Sequence, residues 1–252
     1  MKMHILSGGR LRMRRSVFYP QASREETVEL PVSCILLKHA QGVVLFDTGC
    51  HPQVATEAEA RWGSMAHFMT PLFEPQYTLV AQLPLAGVGV DDIDVVVCSH
   101  LHVDHCGCNS FFPKATVIAH ARELEAARAP DSAAQGYLPV EWDHGAIDTI
   151  DGQRDLFGDG RITLIPMPGH TPGMTTAHVV LDSDGAFLLA SDAAAVRQNL
   201  VDEHAPRNSW DAALATSALA EIARIEKAGA TVIFGHDDEQ YRGLRKGEAF
   251  YA

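Results

Sequence analysis

The stretch "SHLHVDHCGCNS" at positions 99–110 places His100, His102, Asp104 and His105 within six residues, followed by Cys106 and Cys108. Neutral imidazole and carboxylate together suit a divalent ion such as zinc, and also manganese, cobalt or iron. The apolar run "DIDVVV" lies just upstream, so the histidines stand where a strand ends. In an extended segment residues two apart point the same way, so His100 and His102 can converge on one ion. If the chain then turns into a helix, Asp104 and His105 point elsewhere and can serve a second ion nearby.

Three more candidates follow apolar runs: His170 in "MPGHTPG", Asp192 in "LLASDAA" and His236 in "VIFGHDDEQ". A single aspartate after such a run means little, and Asp192 alone reads equally well as a helix N-cap. Three such residues at three strand ends, beside a His-rich turn, carry more weight than any one of them. The cysteines read differently. Zinc–thiolate sites usually gather more sulfur at characteristic spacing, so Cys106 and Cys108 read as buried packing at a helix start. The five cysteines form an odd set without an export signal, which reads as free thiols.

The elements that must position these residues are short and β-rich. "SCILLKHA", "GVVLFDTG", "DIDVVVCSH" and "ATVIAHA" read as strands in the first half. A helix-leaning segment over about 55–86 separates the second from the third, and "ARELEAARA" reads as a helix. In the second half "RITLIPMPGH", "TTAHVVLDSDGAFLLASD" and "ATVIFGHD" read as strands. "SWDAALATSALAEIARIEKAGA" reads as an amphipathic helix, with Ser209 as N-cap and Gly229 as stop. Two β-rich halves with flanking helices suggest a layered α/β domain with two sheets in the middle.

Composition narrows the function classes. The 252 residues are 46% hydrophobic and 21% charged, enough for a sizeable core, and the net charge is −12. The basic run "GRLRMRR" is short against that acidic whole, which disfavours a nucleic-acid partner. No apolar run approaches the roughly 18 residues of a membrane span, and the N-terminus lacks a signal peptide's apolar core. A cytoplasmic location is the expectation.

"HLHVDH" resembles the HxHxDH signature of the metallo-β-lactamase superfamily, and His170, Asp192 and His236 match the remaining ligands of its dinuclear hydrolases. The resemblance runs from "GVVLFDTG" to "FGHDDEQ". It implies one domain over 1–252, an α/β four-layer αββα sandwich with the site at one edge of both sheets. The segment at about 52–90 would be a helical insert for substrate or dimer contacts. It further implies two zinc ions: His100, His102 and His170 on one, Asp104, His105 and His236 on the other, with Asp192 bridging. Asp47 in "FDTG" matches an aspartate that orients a ligating histidine.

Such a pair of ions can activate a water near neutral pH and polarise a carbonyl. That fits hydrolysis of lactones, thioesters, phosphoesters and amides alike. "LFDTG", "HLHVDHCG", "PGHTPGM" and "FGHDDEQ" look most like the N-acyl-homoserine lactonase branch. There hydroxide attacks the ring carbonyl, and the counterpart of Asp104 passes a proton to the departing alkoxide. The alternative is a glyoxalase-II-type thioesterase, which usually has proline where Thr48 stands and a longer C-terminus. The branch carries a tyrosine three residues after the bridging aspartate to steady the substrate carbonyl, but here the position is Ala195. Tyr19, Tyr137 and His204 are candidates to replace it. An acyl chain needs an apolar pocket, for which Phe18, Tyr19, Met65, Phe68, Phe73 and Tyr137 are candidates. Aromatics of the insert can instead serve a homodimer contact. The small lactone is the only other partner expected.

Overall fold

The computed structural model describes residues 1–252. The chain opens with β1 (Lys2–Arg14), β2 (Thr27–His39) and β3 (Gly42–Phe46), an antiparallel meander. Next come α1 (Val54–Trp62), β4 (Thr70–Pro71) and α2 (Leu79–Gln82). Strands β5 (Val95–Val97), β6 (Thr116–His120) and β7 (Ile147–Ile150) then add parallel to β3. Between β6 and β7 lie α3 (Ala121–Ala127) and α4 (Pro139–Trp142). The second sheet holds β8 (Arg154–Asp155), β9 (Ile162–Pro166), β10 (Thr175–Val180), β11 (Ala186–Ser191) and β12 (Thr231–Phe234). Helices α5 (Arg197–Val201) and α6 (Ala212–Lys227) connect β11 to β12, which pair in parallel. After α7 (Asp238–Gly243), β13 (Phe250–Tyr251) returns to the first sheet beside β1.

Side-chain alternation creates the layers. In β5, Val96 points into a core under α2, α3 and α4, while Val97 joins a second core between the sheets. In β11, Leu189 enters that central core and Leu188 faces outward. In β12, Ile233 and Val232 divide the same way. The outer face is covered by α6, whose Ala215, Ala218, Leu219, Ile222 and Ile225 are buried at helical spacing. The result is helices, sheet, sheet, helices: the expected αββα sandwich.

Several local expectations need correction. The N-terminal run read as merely basic is the long strand β1: Arg12 and Arg14 face solvent while Leu11 turns inward. The 55–86 segment is helical only in pieces, with 3₁₀ turns at Gly63–His67, Pro75–Tyr77 and Leu83–Ala86. Asp211, not Ser209, caps α6, accepting the Ala213 and Leu214 N–H groups at 2.9 and 3.0 Å. The Ser209 hydroxyl instead bonds the Pro206 carbonyl. Gly229 follows the helix at φ 110°, a left-handed stop that suits glycine. No α-helix begins directly after Asp104; the chain runs through turns into a 3₁₀ turn at Asn109–Phe111, with buried Cys108 at its N-cap and Cys106 buried in the turns before it.

Candidate metal centre

Parallel strands end on the same side, and that edge gathers the candidate residues. Residues 99–105 follow β5, Asp47 follows β3, Asp192 follows β11, His236 follows β12, and His170 lies in the β9–β10 loop. A backbone bond from Thr175 N–H to the Ser99 carbonyl (2.9 Å) ties the two sheets together there.

The histidines meet in two groups. His102 Nδ1 lies 3.1 Å from His100 Nε2 and 3.2 Å from His170 Nε2. His236 Nε2 and His105 Nε2 approach Asp104 Oδ2 at 3.7 and 3.6 Å. Asp192 stands between them. Its Oδ2 is 3.3 Å from His170 Nε2, and its Oδ1 is 3.0 Å from His236 Nε2 and 3.6 Å from His105 Nε2. Donor atoms of His100, His102 and His170, and of Asp104, His105 and His236, each fall within 4.8 Å of one another. All are buried except His102, which is half-buried. His105 Nε2 is buried with no hydrogen-bond partner, and Asp192 Oδ1 makes no well-aligned hydrogen bond despite the 3.0 Å approach of His236 Nε2. Such orphaned nitrogen and oxygen donors, converging on one point, fit a divalent ion.

Electrostatics separates the two groups. Burial, reinforced by the neighbouring histidines, holds His100 and His102 well below the usual imidazole range, so both are neutral and ready to donate. For His105 burial acts the same way, but Asp104, Asp47 and Asp192 outweigh it and raise the ring to about 10. His236 is raised against its burial mainly by Asp192. The carboxylate-rich group thus calls for positive charge, which a cation supplies in place of protons.

A buried scaffold aims these rings. Asp47 accepts the Ser99 N–H (2.7 Å), the Ser99 hydroxyl (2.8 Å), the Ser191 hydroxyl (3.2 Å) and the His105 Nδ1–H (2.8 Å). The Ser99 hydroxyl also lies 2.9 Å from His100 Nδ1, so one carboxylate reaches a histidine of each group. Asp47 and Ser191 sit at φ 62° and 45°, strain that this network sustains. His236 Nδ1 donates to the Pro31 carbonyl at 2.9 Å. Neither serine nor the Pro31 carbonyl was recognisable in the sequence, because each acts through a contact between distant segments.

A cavity of about 580 Å³ opens beside His102 and His170. Met65, Phe68 and Tyr137 line it, joined by Met13, Met69 and Trp210. Phe73 does not: it lines a separate cavity with Arg10 and Tyr241. Phe18, Tyr19 and Ala195 also stand outside that lining, in a small cluster with Leu30 and Val196. The Phe18 ring lies 6.4 Å from that of His236. Of the candidates to replace the tyrosine, His204 is exposed, and the Tyr137 hydroxyl is buried near Glu123 and Thr171 with no hydrogen-bond partner. Arg15 stacks over the Tyr19 ring, which Asp237 and its acidic neighbours also face.

Two packed sheets with a buried His/Asp cluster at their common edge define a metallohydrolase scaffold. The chain belongs to the metallo-beta-lactamase superfamily, whose family model matches residues 27–236. It is 30% identical over 260 residues to the N-acyl homoserine lactonase AttM of Azorhizobium caulinodans, covering 99% of this chain and 98% of that protein. AttM of Rhizobium radiobacter is 31% identical, covering 100% and 98%. A solved N-acyl homoserine lactone hydrolase, with N-hexanoyl-L-homoserine bound at its catalytic metal center, superposes with a TM-score of 0.89. It shares 26% identity and covers 99% of this chain and 98% of its own. The likeness to the superfamily and its lactonase branch is thereby borne out.

Proposed function

We propose that this chain is a dinuclear zinc hydrolase that opens the lactone ring of N-acyl-homoserine lactones or similar lactones. The observation that carries the reading is Asp192, whose two oxygens face the two histidine groups separately. His100, His102 and His170 would hold one ion, Asp104, His105 and His236 the other, and Asp192 both. When bound, the ions supply an activated water and a polarised carbonyl. Asp104, 5% exposed, would take a proton from the attacking water and hand it to the departing ring oxygen.

The apolar wall of Met65, Phe68, Met69 and Trp210 suits the acyl chain. Met65, Phe68 and Met69 come from the 52–90 segment, which we read as a substrate-side insert of a single domain. No helix is long and apolar enough to cross a membrane. Five unpaired, buried cysteines suit a reducing compartment such as the cytoplasm.

The test is metal analysis of the purified protein together with hydrolysis assays on a panel of lactones and thioesters. Two zinc equivalents and turnover of acyl-homoserine lactones are expected. Rapid thioester cleavage without lactone turnover would overturn the substrate assignment in favour of a thioesterase.

A further inference from the structure

Glu123 is 0% exposed, yet it sits in the first turn of α3, a helix whose sequence reads as a charged surface helix. Its Oε1 accepts the Leu101 backbone N–H at 3.0 Å, and its Oε2 accepts the Gly173 N–H at 3.0 Å. The hydroxyls of Thr171 and Tyr137 are buried near the same carboxyl, but neither has a hydrogen-bond partner. Leu101 stands between His100 and His102, and Thr171 and Gly173 follow His170 directly in the β9–β10 loop. The Tyr137 ring packs on His102, with centroids 4.9 Å apart.

Two loops therefore converge on one carboxyl, each carrying a histidine of the same group, and Tyr137, whose ring touches His102, is buried beside it. The approach is close: a Cβ on Gly173 would come within 2.4 Å of the Glu123 nitrogen. A buried carboxyl is costly unless its oxygens are occupied, and breaking such a set leaves donors unpaired. An apolar residue would fill this place at less cost if packing were its only task. The other histidine group has separate supports, Asp47 for His105 and the Pro31 carbonyl for His236.

Resting on the two-ion reading above, we propose that Glu123 is a positioning residue of the first metal subsite: it locks the His100–His102 turn and the His170 loop into one frame, with Tyr137 packed beside it. It touches neither ion nor substrate. Its loss acts on one ion selectively, because the second subsite does not lean on it.

The experiment is a zinc titration of the full chain against a chromophoric chelator, for wild type, Glu123→Gln, Tyr137→Phe and Glu141→Gln. Glutamine keeps the size but turns an NH2 group toward one of the two backbone donors. Glu123→Gln should weaken one equivalent about 10–100-fold, the usual cost of removing a ligand's support, and leave the other unchanged. Tyr137→Phe, which keeps the ring on His102, should weaken the same equivalent less. Glu141 is also 0% exposed, but it binds Arg61 and Trp62; its variant should keep both equivalents. Circular dichroism checks folding, and Tyr137→Phe carries the test if Glu123→Gln does not fold. Two wild-type affinities in both Glu123→Gln and Tyr137→Phe would overturn the proposal, as would equal weakening of both equivalents. A wild type holding fewer than two zinc ions would overturn the two-ion reading, and this proposal with it.

Discussion

Gly136 lies flat against His102: a Cβ at Gly136 would stand 2.9 Å from His102 Cδ2 and 3.1 Å from Nε2. The Gln135 carbonyl of the same turn lies near the ring, and Nδ1 faces His100 and His170. Gly136 also holds φ 103°, where an L side chain is strained. Gly136→Ala should therefore tilt His102 and weaken zinc at that subsite about tenfold. Gly158→Ala is the control, since Gly158 shares a positive φ (78°) but has nothing within 4 Å of its Cβ position. Equal zinc affinities in the two variants would show that the ring contact is immaterial.

Asp104 faces His105 and His236 across 3.6 and 3.7 Å, close enough to share an ion with both. Asp104→Asn keeps the shape but removes the charge and the proton-carrying oxygen. Turnover should fall by about 10²–10⁴, the range of a general acid's contribution. Zinc at the His100, His102 and His170 group should persist. Wild-type kcat on a lactone would mean that Asp104 is neither ligand nor proton donor.

The candidate ligand residues stood out in the sequence because they are polar residues that follow apolar strands, a contrast visible locally. Helix α6 was legible because Ala215, Leu219 and Ile222 keep one face over its full length. Strand β1 was not, since Arg10, Arg12 and Arg14 read as a basic cluster rather than as the outer half of a period-two pattern. Pocket membership was legible only in part. Met65 and Phe68 line the cavity and Phe73 does not, although all three share one aromatic segment. Met13 and Trp210 reach it from opposite ends of the chain, which no local signal records. Glu123 was hidden for a related reason: in "ARELEAARA" it looks like any solvent-facing glutamate, and only the approach of two loops buries it.

His51 gives a pH signature. Burial, with Arg61 and His144 adding repulsion, lowers it to about 4, and its Nδ1 accepts the Gln53 N–H at 3.1 Å. The unfolded chain titrates His51 at the ordinary 6.5. Between those values the unfolded state binds the proton more readily, so the fold loses stability as pH drops from about 6.5 toward 4. Above 6.5 the contribution is fully present. His51→Gln should accordingly lose less stability than wild type between pH 7 and pH 5. Urea midpoints at the two pH values measure this, and parallel losses in both proteins would refute the assignment to His51.

Ala195 is 1% exposed, and the Phe18 ring packs against its cluster while standing 6.4 Å from the His236 ring. Phe18 is itself held in place, its carbonyl accepting the Asn199 side chain at 2.9 Å. The volume next to Ala195 is thus filled from another segment, which leaves no room for a larger residue. Ala195→Tyr alone should overpack the cluster and cost about 1–3 kcal/mol. Phe18→Ala alone should leave a cavity and cost about 3–5 kcal/mol. Because the two side chains compete for one space, the double variant should cost less than the sum of the singles. Urea unfolding of the zinc-loaded proteins provides the cycle. A hydroxyl placed beside His236 should also raise lactone kcat/KM in the double variant above that of Phe18→Ala. Strict additivity of the stabilities would show that Phe18 does not occupy the space a tyrosine at 195 requires.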